Sequence, residues 1–558
     1  MSALDIFARL CAIPHRSYHT QEMFAFLCAE CERLGFVVAT DAGKNIYATR
    51  FNKASKLVSA GRPKVCLQAH YDMVGVGRAQ AGEPLELFRD GQYLRAQESS
   101  LGADNGAAIA AILWLMEQEK YRDVIEVLFT NDEEVGLCGA NTLTIPIQAP
   151  FLLNLDSEFF GEIIVGCAGG FDIDFIFNTP KNKENKTKNY KNSTKANVST
   201  QSCQVPTTTK TESNADSIPC GEAIYEICAF GFVGGHSGVD IHKDIPSSIV
   251  EFAHLLEVLE AFSSTESIPN TTKNLSSGFD TVLYALQAGE KANSIPTGLR
   301  ALVGVESFKR DCTLESIAIH LRTHGYEVKL ESKQRLCIAM RGEYGEYGFF
   351  ITDRCALLNR VEPSAMNSEE FIYTVESSYD GTSFFRLIKA LQHGIAYALP
   401  EHPHIVLSSL NIAMIKSSDE GLLCTLKARA NTKELLSTLE QRITQTIEYF
   451  LEKTSKIRIY NFYAPWQRQL QEHHPILQLI SDAFKWRNVE VGEIHAGLEC
   501  GILQQRFEKM GLPPVLMASI GPTILYPHST KERMDIGSFE EFVEVLSDII
   551  KRLNNANI

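Results

Sequence analysis

A histidine and an acid stand together where an apolar run of the chain ends. His70 closes the run Lys64–His70, and Asp72 follows two residues later. Residues two apart in an extended chain point to the same side, so Asp72 could accept the spare N–H of the His70 imidazole, as partners of metal-bound histidines do. A strand-end histidine with a purely structural role is the alternative, and this pattern by itself favours it.

Acidic side chains form three further candidate clusters. Asp104 stands in a Gly-Ala-Asp-Asn-Gly turn before an Ala-rich helix, where a simple helix N-cap is the alternative. Glu133 and Glu134 follow an apolar run over 124–130, and Asp156 ends another. Adjacent acids are usually solvated, but behind a buried strand they could supply one metal ligand and one general base.

A fifth candidate, His528, lies in a Pro-His-Ser loop after the apolar strand predicted over 514–520. In open α/β sheets, functional groups gather outside the carboxyl ends of strands, and four of these five clusters follow that rule. Imidazole and carboxylate ligands without thiolate suit zinc, manganese or cobalt. Together the clusters predict a metal site, although each alone is more often structural.

The elements that would position these residues change character along the chain. The first 170 residues alternate helices and strands, which predicts an α/β domain with a largely parallel sheet. Residues 178–217 are rich in Lys, Asn, Thr and Ser and predict a disordered insertion. Mixed helix and strand patterns resume from about 221 to 463, and the final segment returns to α/β character.

Composition limits the class of protein. A chain of 558 residues exceeds one hydrophobic core and predicts two or more domains. The net charge of -15, from 53 Lys and Arg against 68 Asp and Glu, argues against binding to nucleic acid or to an anionic membrane. No apolar run is long enough for a membrane span, and no signal peptide is evident. The 14 scattered cysteines predict buried free thiols and a cytoplasmic location.

Six motifs in order resemble a known family: His-x-Asp, Gly-Ala-Asp-Asn-Gly, Asp-Glu-Glu-x-Gly, Leu-Asp-Ser-Glu, Gly-Gly-His-Ser-Gly and Pro-His-Ser. They look like the dinuclear-zinc peptidases related to carboxypeptidase G and aminoacylase. Three segments resemble the aminoacyl-histidine dipeptidase branch, also called peptidase D or Xaa-His dipeptidase: Cys167–Gly170, Gly234–Lys243 and His495–Leu503.

The resemblance implies a fold and a metal centre. The fold would be a three-layer α/β/α catalytic domain, over 1–170 and 464–558, with an inserted α+β lid domain over 171–463. Asp104 would bridge two divalent ions about 3.5 Å apart, zinc in first place and cobalt or manganese as alternatives. His70 and Asp156 would complete the coordination of one metal, and Glu134 and His528 would complete that of the other.

The resemblance also assigns catalytic roles for hydrolysis of a short peptide. Asp72 would orient His70, and Glu133 would be the general base toward the attacking water. His236, in the lid, would donate a hydrogen bond to the oxyanion after lid closure. The family also suggests a homodimer formed through the lid.

Four residues are candidates for substrate contacts. Arg429 could hold a free carboxylate in two hydrogen bonds, with an exposed strand arginine as the alternative. Asn293 lies in a segment similar to one that binds substrate in the family. His495 or Glu499 could meet the substrate amine, with helix N-capping as the alternative.

The chain departs from the family after its Gly-Gly-His-Ser-Gly motif. Lys243 is followed by Asp-Ile-Pro-Ser-Ser, where the family usually continues with Gly-Arg-Gly-Asn, and the lid is longer. Both departures bear on substrate preference. The main prediction is a dipeptidase for unblocked dipeptides. The alternatives are an amidohydrolase or tripeptidase acting on another acyl-amino substrate, and a catalytically silent binding homologue.

Overall fold

The computed structural model describes residues 1–51, 62–178, 222–261, 281–306, 313–353, 379–418, 420–451, 456–485 and 488–556. The chain divides into two compact units. Unit 1 comprises Met1–Gly170, Asn431–Lys433 and Tyr463–Ile558, and unit 2 comprises Phe171–Ala430 and Glu434–Phe462. The predicted disordered insertion lies, from residue 179 onward, outside the described residues.

The described chain contains 24 strands. In chain order they are β1 (Val37–Thr40), β2 (Ile46–Thr49), β3 (Val65–His70), β4 (Leu87–Asp90), β5 (Tyr93–Ala96), β6 (Ile125–Thr130), β7 (Phe151–Asn154), β8 (Glu162–Cys167), β9 (Gly169–Phe177), β10 (Glu222–Phe230), β11 (Thr281–Ala288), β12 (Leu299–Glu306), β13 (Glu327–Ser332), β14 (Arg335–Gly342), β15 (Gly345–Asp353), β16 (Tyr379–Asp380), β17 (Gly394–Leu399), β18 (His402–Ser418), β19 (Gly421–Ala430), β20 (Arg458–Tyr463), β21 (Glu490–Ile494), β22 (Leu516–Ser519), β23 (Ile524–Leu525) and β24 (Arg533–Asp535).

Twelve α-helices and one 3-10 turn, Glu119–Tyr121, accompany these strands in the described residues. The helices are α1 (Ala3–Cys11), α2 (Gln21–Arg33), α3 (Arg78–Ala81), α4 (Ala103–Glu117), α5 (Cys138–Thr142), α6 (Ser248–Ala261), α7 (Leu314–Thr323), α8 (Gly381–Leu391), α9 (Lys433–Phe450), α10 (Pro475–Ala483), α11 (Glu499–Lys509) and α12 (Ile536–Asn555). None of the described helices combines the length and the apolar character that a bilayer crossing requires.

An eight-stranded sheet forms the centre of unit 1. Its order is β1-β2-β6-β3-β7-β22-β8-β21, and the four central strands β6, β3, β7 and β22 run parallel. Strands β1 and β2 extend the sheet beyond β6 by antiparallel pairing. Because the four central strands are parallel, their carboxyl ends meet at one edge of the sheet.

Helices cover both faces of this sheet. Alternate residues of β3 belong to different cores: Val65 and Leu67 pack with α1, α2, α4, α10 and α12, whereas Cys66 packs with α5 and α11. Helix α4 is apolar almost all round, as a helix buried on all sides must be. Unit 1 therefore has the three α/β/α layers that the resemblance implied.

A small four-stranded sheet in unit 1 joins distant parts of the chain. Its order is β23-β24-β5-β4. Strand β24 pairs antiparallel with β5, with Met534 opposite Leu94. The hairpin between β23 and β24 thus lies beside β5, which leads into the segment before α4. The sequence analysis missed this sheet because its strands are only two to four residues long.

Unit 2 is built on a twelve-stranded sheet. Its main path runs β13-β14-β15-β10-β12-β11-β18-β19-β9-β20, with β16 paired to β11 and β17 to β18. The neighbouring strands β10, β12, β11, β18 and β19 pair antiparallel. Helices α6, α7, α8 and α9 supply apolar residues to its main core. This α+β architecture, together with the layers of unit 1, confirms the predicted fold class.

The described cysteines, ten in number, are all free thiols. Cys11, Cys31 and Cys66 are buried, as predicted, but Cys138 is exposed. Burial raises the pKa of the Cys66 thiol well above 9.0, so this thiol stays protonated at neutral pH.

Candidate active site

The predicted site residues of unit 1 meet at the carboxyl edge of the central sheet. His70 is the last residue of β3, Glu133 and Glu134 follow β6, and Asp156 follows β7. Their strands are immediate neighbours in the sheet. The parallel order of three strands therefore places side chains from distant parts of the sequence within reach of one another.

Asp104 lies between two imidazoles. Its Oδ1 is 3.1 Å from His70 Nε2, and its Oδ2 is 3.0 Å from His528 Nε2. The N-cap of α4 is Gly102, and the Asp104 carboxylate contacts the two imidazoles instead of capping the helix. The interpretation of Asp104 as a simple N-cap is therefore wrong. The Asp104 carboxylate thus presents one oxygen to each of two histidines.

The remaining ligand candidates divide between these two histidines. Asp156 Oδ1 lies 3.4 Å from His70 Nε2 and also accepts a hydrogen bond from the Asn105 side chain. Glu134 Oε1 lies 2.9 Å from His528 Nε2. The five residues thus form two groups that share Asp104.

This constellation fits divalent metal ions. Ligand atoms of His70, Asp104 and Glu134 all lie within 4.8 Å of one another. The donors are imidazole nitrogens and carboxylate oxygens, a set that zinc accepts. The Glu134 side chain is only 6% exposed, and its buried Oε1 makes no hydrogen bond of good geometry in the described residues. Buried carboxylates need cations to offset their charge, and bound ions would supply them.

The carboxylates of the site alter the acidity of its histidines in the metal-free chain. Burial would lower the pKa of His70, but Asp156 and Asp104 outweigh burial and raise that pKa well above 6.5. Burial would likewise lower the pKa of His528, but Glu134 and Asp104 outweigh burial and raise that pKa to about 12. Burial raises the pKa of Glu134 to about 7. Binding of a metal ion by these imidazoles would therefore release protons.

Asp72 contacts His70 mainly through its backbone. His70 Nδ1 lies 3.0 Å from the Asp72 carbonyl oxygen and 3.4 Å from the Asp72 carboxylate. The carboxylate instead accepts the backbone N–H of Glu133 at 2.8 Å, that of Glu134 at 3.3 Å, and the hydroxyl of Ser17 at 2.7 Å. Asp72 thus holds both the imidazole and the acidic loop after β6, which leaves His70 Nε2 directed at Asp104.

The Glu133 carboxylate makes no side-chain hydrogen bond or ion pair within the described part of the chain. Its backbone is fixed by Asp72. Burial, with the negative charges of Glu134 and Asp156, raises the pKa of Glu133 well above 4.5 against the opposing effect of His70. A carboxylate with a raised pKa that neighbours Glu134 in the chain has the properties of a proton acceptor.

A row of hydrogen-bonded polar side chains crosses four strands beneath the site, and the sequence analysis missed it. Gln68 Nε2 donates to Thr130 Oγ1 at 3.1 Å, Asn154 Nδ2 donates to Gln68 Oε1 at 2.5 Å, and Ser519 Oγ donates to Asn154 Oδ1 at 2.5 Å. We call Thr130, Gln68, Asn154 and Ser519 the polar row. Its sequence signal is a polar residue two positions before His70 in an otherwise apolar strand.

Glu499 joins the polar row from α11. Its Oε2 accepts hydrogen bonds from Gln68 and Thr130, each at 2.6 Å, and the residue is fully buried. The N-cap of α11 is Leu498, which makes no side-chain cap, so the N-cap interpretation of His495 and Glu499 is wrong. His495 Nδ1 lies 2.9 Å from Asn431 Oδ1.

Two other predicted residues lie side by side in unit 2. His236 Nδ1 accepts the backbone N–H of Val239 at 3.0 Å, so Nε2 carries the proton of the neutral ring. The next residue, Ser237, donates its backbone N–H to the Asn293 carbonyl at 2.8 Å. In the neutral ring Nε2 of His236 is therefore the hydrogen-bond donor, and backbone hydrogen bonds hold the turn.

Arg429 also lies in unit 2, in β19 opposite Ser409 of β18. It is only 4% exposed. The interpretation of Arg429 as an exposed strand arginine is therefore wrong. Burial of a guanidinium is costly unless it meets polar or acidic partners, which is the setting in which arginine binds a carboxylate.

Comparison with known proteins agrees with this site. Residues 66–552 match the profile of peptidase family M20/M25/M40. The chain is 25% identical to the cytosol non-specific dipeptidase of Escherichia coli (strain K12), over 98% of this chain and 97% of the relative. The crystal structure of aminoacylhistidine dipeptidase from Vibrio alginolyticus has the same fold, with a TM-score of 0.63, 22% identity, and coverage of 98% of this chain and 96% of that one.

These matches confirm the family that the six motifs indicated. M20 peptidases depend on metal ions, and the His70, Asp104 and Glu134 cluster lies inside the matched range. Since the family match covers most of the sequence, the chain belongs to peptidase family M20/M25/M40 and is a hydrolase.

Proposed function

We propose that the protein is a metal-dependent dipeptidase that hydrolyses unblocked dipeptides, Xaa-His dipeptides among them. The observation that carries the proposal is the placement of Asp104 between His70 and His528. Glu133 interacts electrostatically with His70 and Glu134 of this cluster. The relatives support the substrate class, because one is named a non-specific dipeptidase and the other an aminoacylhistidine dipeptidase.

The proposed centre would hold two divalent ions, and zinc is the metal that we expect. Asp104 would contact both, His70 and Asp156 one, and Glu134 and His528 the other. Ions held by these residues would polarise the scissile carbonyl and make water a stronger nucleophile at neutral pH. Two divalent charges would also offset the charges of the buried carboxylates.

The chain's own residues would move the proton and hold the reacting groups. Glu133 accepts the proton of the attacking water and delivers it to the leaving amine. Asp72 keeps Glu133 in place through its backbone N–H. His236 donates from Nε2 to the developing oxyanion, which its tautomer allows.

Substrate contacts complete the proposal. Arg429 would bind the free carboxylate of the dipeptide, and Asn293 and His495 would contact its backbone or amine. Glu499 is less suited to meet the amine, because it is fully buried and its Oε2 is already bonded within the polar row. A cytoplasmic location agrees with the name of the E. coli relative, and a homodimer stays a prediction.

The first experiment measures hydrolysis of Ala-His, β-Ala-His and N-acetyl-Ala by chelator-treated protein, with and without zinc, manganese or cobalt. We expect metal-restored cleavage of the free dipeptides alone. Cleavage of the acetylated substrate would instead show an amidohydrolase. Metal binding without any cleavage would show a silent homologue, and no metal binding at all would refute the proposed centre.

The second experiment replaces the proposed base. Glu133→Gln should keep the metal content and lower kcat by about 10²–10⁴-fold, the range of general-base catalysis. Asp132→Asn is the matched control from the same acidic run: its Oδ1 accepts the Tyr18 N–H, which an amide oxygen can also do, and its φ of 50° suits asparagine. Wild-type turnover by Glu133→Gln would refute the assignment.

A further inference from the structure

A buried acid outside the ligand set holds the segment that carries Asp104. Glu532 is 2% exposed, and its two carboxylate oxygens accept the backbone N–H of Leu101 at 2.9 Å and that of Ala103 at 2.8 Å. These two donors flank Gly102, the residue before the start of α4. The Glu532 side chain therefore fixes the backbone immediately before Asp104.

The same residue belongs to the loop that carries His528. This loop joins β23 to β24, and the Glu532 N–H donates to the Ser529 carbonyl at 3.1 Å. Strand β24 then pairs with β5, which precedes the Asp104 segment. Through its backbone Glu532 shapes the His528 loop, and through its side chain it binds that loop to the segment before Asp104.

The Asp104 segment needs such an acceptor because of its conformation. Gly102 has a φ of 67°, and a Cβ at this position would lie 2.8 Å from Met73 Sδ. Only glycine takes this left-handed conformation in so tight a place. The turn leaves the N–H groups of Leu101 and Ala103 directed at Glu532, and buried donors of this kind need partners.

We propose that Glu532 is a positioning residue of the metal centre, which sets the distance between Asp104 and His528 before an ion binds. This inference rests on the proposed function, because it requires that these two residues are ligands. Loss of the double hydrogen bond frees both segments, so an ion must then order them on binding. Residues that support ligands in this way typically contribute about 10–100-fold to metal affinity.

A matched control lies elsewhere in unit 1. Glu126, in the middle of β6, is also fully buried, and its Oε1 accepts the backbone N–H groups of Gln148 and Ala149, each at 2.8 Å. It differs from Glu532 in that the segment it holds carries no proposed ligand. Glu126→Gln therefore reports the cost of disturbing a buried carboxylate that binds two backbone amides.

The test measures two quantities for wild type, Glu532→Gln and Glu126→Gln. One is the zinc Kd, from competition with a chromophoric chelator, and the other is the thermal midpoint of the metal-free protein. We expect both variants to lower the midpoint. Only Glu532→Gln should raise the zinc Kd, by about 10–100-fold. If the two variants bind zinc with the same Kd, Glu532 has only a structural role and the inference fails.

Two further outcomes are informative. If Glu532→Gln does not fold, Glu532→Asp takes its place, because it keeps the charge and shortens the reach by one methylene. A wild-type zinc Kd for Glu532→Asp would then refute the inference. Failure of the wild-type protein itself to bind zinc, manganese or cobalt would refute the proposed function, an outcome distinct from equal affinities among the variants.

Discussion

Replacement of Gln68 by methionine tests whether the polar row stabilises the floor of the site. Gln68 is fully buried in β3, between the strands that carry Thr130 and Asn154. Methionine has a similar length and can occupy the same space, so the substitution removes hydrogen bonds with little change in volume. We expect unit 1 to lose stability.

The magnitude follows from the contacts. Gln68→Met removes the hydrogen bonds to Thr130 Oγ1 at 3.1 Å, to Glu499 Oε2 at 2.6 Å, and from Asn154 Nδ2 at 2.5 Å. Two of these bonds join neutral groups and contribute about 1 kcal/mol each, and the one to a carboxylate contributes about 2 kcal/mol. Glu499 keeps its bond from Thr130, so no further bond is lost and the expected loss is about 4 kcal/mol.

Urea unfolding of the metal-free protein measures this loss. Of the three tryptophans of the sequence, Trp114 and Trp466 lie in the described part of unit 1, so the fluorescence of these two follows the unfolding of that unit. The free energy is obtained from the shift of the midpoint at an unchanged slope. Metal must be absent, because an ion bound only to the folded state adds stability of its own.

Gln148→Met provides the control. Gln148 is half-buried and donates to the Tyr47 hydroxyl at 3.2 Å and to the Phe51 carbonyl at 3.0 Å. Water can replace these bonds, so we expect a loss of less than about 1 kcal/mol. The reasoning is refuted if Gln68→Met costs no more than Gln148→Met.

Two further predictions concern one position in each unit. Burial lowers the pKa of His393 in unit 2 to about 4, whereas the unfolded chain takes up this proton near pH 6.5. The stability that is present at pH 7 is therefore lost as the pH falls, by about 2 kcal/mol at pH 5. His393→Gln should remove that part of the loss in unfolding followed by circular dichroism, and an undiminished loss would contradict the prediction. A Cβ at Gly521 in unit 1 would lie 1.7 Å from the Ser157 carbonyl oxygen, so Gly521→Ala must displace the residue after Asp156. We expect the zinc Kd to rise at least about 10-fold, as for other losses of ligand support, while Gly492→Ala, which meets nothing within 4 Å, leaves it unchanged.

Local pattern predicted the main elements of unit 1 well. Strands β3 and β6 begin and end within a residue or two of their predicted limits, because the apolar pattern acts on neighbouring residues. The same pattern identified His70 and Asp156 as strand-end residues. Interactions between sequence neighbours determine such features, so they can be read before any tertiary contact is known.

Other elements gave no local signal. Strand β23 has two residues and β24 three, too few for a period-2 pattern to show. Glu532 contacts Leu101 across 431 positions of sequence, and its own neighbours are polar loop residues. Without the fold, Glu532 reads as an ordinary surface acid.

The sequence by itself determined which ligand types are available and that most of them stand where strands end. It left open which side chains the Asp104 carboxylate contacts, and whether the Glu499 side chain is exposed or enclosed. Tertiary structure decided both, since β24 brings His528 to Asp104 and α11 directs Glu499 to Gln68. The physical reason is that a side chain's partners depend on which strands and helices pack together, and packing joins residues that are hundreds of positions apart.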